Sequence, residues 1–169
     1  MSKLYVDEIH PKTASGNITA PSLVLPVAVG SVVQTLYAQS TTATSITATS
    51  KGSGTSTGLS ITITPKSVTN KLLINYVGSF SLATHSSPWV SIEIYDGSSV
   101  IATDENTAIY INGNGDEYDN RWKYPFMAFV TPSSSGAITY TVRAWKSGNA
   151  CTAQPSSMPS HLSIQEIQQ

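Results

Sequence analysis

Three groups of residues in this chain have the types and spacing for chemistry. Gly54-Thr55-Ser56-Thr57-Gly58 matches the G-x-S-x-G pattern of a hydrolase nucleophile elbow, with His85 and His161 downstream. An elbow needs a strand, a strained turn and then a helix. Here the motif runs straight into the alternating segment Leu59–Thr64, inside a Ser/Thr/Gly-rich tract where such matches arise by chance. Ser56 therefore reads as a loop residue, and the chain is expected not to be an enzyme. Asn112 to Asn120 is a polar loop holding Asp116, Glu117 and Asp119, with Asp104 and Glu105 upstream. Carboxylate oxygens of this kind suit Ca²⁺, but the spacing is not that of an EF-hand and Gly and Asn alone account for a surface turn. The histidines at 10, 85 and 161 have no Cys or His at ligand spacing, so no zinc site is expected, and no cofactor is implied. The third group is aromatic. Trp89, Tyr118 and Trp145, with Asn114 nearby, pair flat rings with amides, the chemistry that holds sugars, and they are the candidate glycan contacts.

These groups must be positioned by strands. Leu59, Ile61 and Ile63 alternate with Ser60, Thr62 and Thr64, and after a break at 65–70 the same period resumes at Leu72, Ile74 and Tyr76. A period of two puts apolar side chains on one face and hydroxyls on the other. With Pro65 and Asn70 in the break, the stretch reads as a β-hairpin. Further strands are expected near residues 32–38, 44–49, 89–96, 100–103, 121–130, 138–145 and 162–167, with a tight turn at Asp96-Gly97. Ile138, Tyr140, Val142 and Ala144 form one inward set, and Trp122, Tyr124, Phe126, Ala128 and Val130 another. Gly78, inside 72–82, is expected to make room for the opposing sheet. No segment keeps a helical apolar period over three turns. About nine strands in one chain of this length fit an all-β antiparallel sandwich, of jelly-roll type.

Composition narrows the function. The 169 residues are 40% hydrophobic but only 11% charged, against about 25% in an ordinary domain. Hydroxyls replace the missing charge, with 26 Ser and 20 Thr. The net charge of −1 comes from thinly spread residues, which excludes a basic stripe for nucleic acid. The longest apolar run, Leu23 to Val29, is far short of the roughly 20 residues that span a bilayer and contains Pro26, so no membrane insertion is expected. The lone Cys151 allows no internal disulfide and suits folding in a reducing cytoplasm. No secretory signal is visible at Met1 to Ile9.

The chain divides into an extended arm at 1–30, with Pro11, Pro21 and Pro26, and a sandwich at 31–169. Five buried residues of the Leu23–Val29 type are worth about 1.5–3 kcal/mol each, so the arm is expected to cover something. It can drape over its own sandwich, or pack against neighbouring subunits. The second is preferred, with Leu23, Leu25 and Val27 at the contacts of a homotrimer.

Val6 to Ile9 (VDEI), Ser15 to Thr19 (SGNIT) and Gly30 to Thr35 (GSVVQT) carry a resemblance, as do Thr57 to Ile74 and Ser163 to Ile167 (SIQEI). With these segments the chain resembles a family of small virion proteins of tailed bacteriophages, especially those of cyanobacteria and other aquatic bacteria. The resemblance implies a fibre or fibre-like structural module of the virion, assembled in the host cytoplasm and contacting other virion proteins. It supplies no site residues. Capsid decoration, and a carbohydrate-binding module that recognises a host surface glycan, are the alternatives.

Overall fold

The alternation in Leu59–Ile63 becomes a strand whose burial switches residue by residue. A computed structural model describes residues 28–82, 89–110, 121–147 and 150–169. They form β1 (Val32–Ser40), β2 (Thr44–Ile46), β3 (Thr55–Ile63), β4 (Lys71–Leu82) and β5 (Trp89–Tyr95). There follow β6 (Val100–Tyr110), β7 (Arg121–Val130), β8 (Ile138–Lys146), β9 (Cys151–Ala153) and β10 (Ser160–Ile167). A single 3-10 turn, Pro155–Ser157, is the only helical element among the described residues.

Two antiparallel sheets face each other. The six-stranded sheet runs β1-β10-β4-β7, with β9 beside the far end of β4 on the β10 side and β2 beyond it. The four-stranded sheet runs β3-β8-β5-β6. The eight long strands, in the orders 1-10-4-7 and 3-8-5-6, make the expected sandwich a jelly roll. The first strand and the last pair along their length, Leu36 with Ile164 and Ala38 with Leu162, which closes the sheet with the chain's two end strands.

Several expectations are corrected. The Thr57–Tyr76 stretch is not a hairpin: β3 pairs with β8 and β4 with β10, β7 and β9, so the chain crosses from one sheet to the other. A hairpin would set the two apolar faces side by side in one sheet. The crossover sets them against each other, and Leu59, Ile61 and Ile63 share a core with Leu72, Ile74 and Tyr76. Strand β2 stops at Ile46, β6 runs on past Thr103, and Cys151–Ala153 is an unexpected short strand. Trp122 is half exposed rather than core, because it lies near the start of edge strand β7, where cover from the other sheet runs out. At Gly78 the crowding comes from a neighbour on the same strand. A Cβ there would lie 2.2 Å from the Tyr76 hydroxyl.

Two buried carboxylates tie the connections down. Glu166 on β10 accepts from Lys66 N (2.8 Å), Ser67 N (3.2 Å) and Asn70 Nδ2 (2.6 Å), and Gln34 Nε2 donates to its other oxygen. Burial alone would raise its pKa, but the four donors outweigh it and hold the carboxyl below the usual glutamate value. Glu93 on β5 accepts from Gly52 N (2.8 Å) and Gly54 N (3.0 Å). Between the sheets the Tyr76 hydroxyl is buried, and burial raises its pKa against the opposing pull of the Ser160 and Thr57 hydroxyls beside it. Gln154, fully buried, holds a left-handed backbone (φ 51°). With its amide oriented to suit its neighbours, it donates to Thr42 O and accepts from Ser160 Oγ.

Candidate functional site: the outer faces of the two sheets

Alternation leaves each sheet an outer face, and among the described residues these faces carry the side chains considered for recognition. On the four-stranded sheet β5 contributes Trp89, Glu93 and Tyr95, and β8 contributes Arg143 and Trp145, with Glu93 opposite Arg143 in register. The segment after β2 folds over this face. Arg143 pairs with Glu93 (3.1 Å), donates to Gly54 O (2.8 Å) and Gly52 O (2.9 Å), and lies over the Tyr95 ring at 4.4 Å. Gly54 is required for that approach, since a Cβ would sit 2.5 Å from Glu93 Oε1. This cluster is internally satisfied and acts as a latch.

The structure brings the candidate glycan residues Trp89 and Trp145 together, edge to face with centroids 5.0 Å apart. Trp145, however, is only 7% exposed, and its Nε1 is buried with no partner. A ring so covered offers a sugar no stacking surface, whereas Trp89 is half-buried. Tyr118 and Asn114 lie outside the described residues, as do Asp116, Glu117 and Asp119 and the arm residues Leu23, Leu25 and Val27. Asp104 accepts a hydrogen bond from the Tyr124 hydroxyl, tying β6 to β7 across the open side of the sandwich. Burial, and then that carboxylate, push Tyr124 up to about 12. Among the described residues no three His, Cys, Asp or Glu side chains gather as metal ligands would.

The nucleophile elbow is absent. Ser56 lies within β3, opposite Arg143, with its hydroxyl accepting from Gly58 N (3.2 Å). Gly58, at φ 78°, sits where the β3–β8 register shifts, which is a bulge and not a strand-to-helix turn. His161 stands on the other sheet, stacked on Tyr37 with its Nδ1 hydrogen-bonded to the Tyr37 hydroxyl.

The outer face of the six-stranded sheet is different in kind. Register places Leu73 beside Phe129, Asn75 beside Met127 and Val77 beside Pro125. Met127 is 69% exposed and Phe129 57%. A shallow depression of about 370 Å³ is lined by Asn75, Val77, Pro125 and Met127, with Tyr76 and Phe126. Tyr37 adds an exposed ring on β1. Reading β7 for its inward set alone missed this row. The available signal was that β7 is apolar on both faces, with Pro125, Met127 and Phe129 set among Tyr124, Phe126 and Ala128. The arrangement offers contact surface and no reacting group.

No protein-family model matches the chain, and no curated protein does. Among solved structures, the VP2 subviral particle of infectious bursal disease virus is similar at 16% identity and a TM-score of 0.39, over 80% of this chain and 38% of that one. A structure of the Gx strain of the same virus is similar at 15% identity and a TM-score of 0.38, over 93% of this chain and 42% of that one. The chain thus spans about two fifths of the length of these proteins. No residue role or partner is carried over from likenesses of this size.

Proposed function

We propose that this chain is a structural subunit of a virion, a fibre or fibre-like component of a tailed bacteriophage that acts by assembly and catalyses no reaction. The observation that carries the reading is the exposed apolar row across β4 and β7, a surface built for protein contact on an otherwise hydroxyl-rich exterior. A jelly roll by itself does not decide function, since capsid, lectin and enzyme domains share it. The sequence resemblance to phage virion modules supplies the setting, and the arm at 1–30 supplies the anchor to the particle or to sister subunits, in a symmetric homo-oligomer.

The test is immunogold electron microscopy of purified particles with antibody against the chain. Label along the tail or its fibres is the expected result. Label spread over the head would make it a decoration protein, and particles free of the chain would remove the virion reading altogether. Co-sedimentation with host cells or their lipopolysaccharide then decides whether the subunit also contributes to attachment.

A further inference from the structure

We infer that the outer face of the six-stranded sheet seats the Leu23–Val29 segment of a second copy of this chain. The seat is the row in which Leu73, Val77, Pro125, Met127 and Phe129 share one face of β4 and β7. Met127 and Phe129 are more than half exposed, and a contiguous apolar row in water marks a contact surface. The row alone is small: an apolar patch of a few hundred Å² falls short of the roughly 800 Å² per partner that a stable interface needs. Something long and narrow must extend it.

Leu23–Val29 fits in chemistry and shape. Six of its seven residues are apolar, and Pro26 fixes φ near the extended region. Pro26 also lacks an N–H, so the segment suits lying on a face better than completing a ladder at an edge. From residue 13 to residue 50 the chain has no Asp, Glu, Lys or Arg, so docking strips water from no charge on the segment. Asn75, Ser163 and Gln165, which share that face of the sheet, are neutral as well, and its lysines, Lys71 and Lys123, lie at the ends of the row.

The geometry of entry into β1 favours a second copy. Ser31 N donates to Ala28 O (3.0 Å) and Gly30 N to Gln168 O (2.7 Å), with Gly30 at φ 87°. This turn sits at the β1 edge and leaves Val29 78% exposed. The seat lies at the opposite edge, three strand spacings or about 14 Å away. A neighbour reaches it without crossing the host's β10 and β4.

The inference rests on the assembly role proposed above, but its test uses purified protein and fails or succeeds apart from any location on a particle. Full-length chain is compared with the double variant Met127→Thr/Phe129→Thr, which keeps strand propensity, by light scattering after gel filtration. The expected result is an oligomer for the wild type and a monomer for the variant, with the circular dichroism spectrum unchanged. Chains carrying Leu25→Cys are also co-expressed with chains carrying Met127→Cys. On oxidation a disulfide-linked pair of doubled mass is expected, while Cys151 stays buried and unreacted. A monomeric wild type, an oligomer untouched by the double variant, or the absence of a disulfide-linked pair on oxidation would each overturn the inference.

Discussion

Single residues in this sandwich act through what surrounds them. Ile61 faces the core at 6% exposure, while its neighbour Thr62 faces water and meets Thr139 hydroxyl to hydroxyl at 2.8 Å. Ile61→Ala should lower stability by about 2–5 kcal/mol, and Thr62→Ala by no more than about half a kcal/mol. Urea unfolding of the two variants reads the difference directly, and equal losses would reverse the faces of β3. Gly78→Ala should destabilise by about 1–3 kcal/mol, because the new methyl overlaps the buried Tyr76 ring; a variant as stable as the wild type would show that this ring moves freely. Cys151 is 2% exposed, and burial pushes its thiol up to about 12. A thiol reagent at pH 8 should therefore leave the native chain unlabelled and find one thiol per chain after unfolding. Rapid labelling of the folded protein would contradict that placement.

Between elements, carboxylates do what turn residues alone do not. The crossover from β3 to β4 has Pro65, Ser67 and Asn70, all turn formers, yet its N–H groups point to Glu166, about 100 residues further on. Glu166 has its pKa lowered in the fold, so its contribution is fully present above the ordinary carboxylate range near 4.3 and fades as pH falls through the lower folded value. Thermal unfolding from pH 7 to pH 3 should show wild-type stability declining below about pH 5. Glu166→Ala should be less stable at pH 7 and decline less steeply over the acid range. Parallel curves for the two would mean that other carboxylates set the acid response. The hairpin expectation failed at this same point. Residue types mark where a chain bends, but which sheet receives the next strand depends on a partner far away in sequence.

For the molecule as a whole, alternation made the all-β class and most strands legible, because a period of two is a local property that needs no knowledge of neighbours. The inward sets of β3, β4 and β8 follow from it. Alternation is silent on how much cover each face receives. Trp145 has the residue type for sugar contact but is only 7% exposed, its ring edge to face with Trp89. Trp122 shares the period of the inward set of β7 and is half exposed, because β7 lies at an edge. Met127 and Phe129 look like any strand residues in sequence, and their exposure depends on nothing in the described structure lying over the outer face of β4 and β7. The amino-acid sequence by itself thus determined that the chain is built of two-faced strands with a low-charge, hydroxyl-rich surface, since both are sums of local chemistry. Tertiary structure alone decided the crossover, the buried carboxylate clamps and which apolar face stays open, since each is set by contacts between residues tens of positions apart.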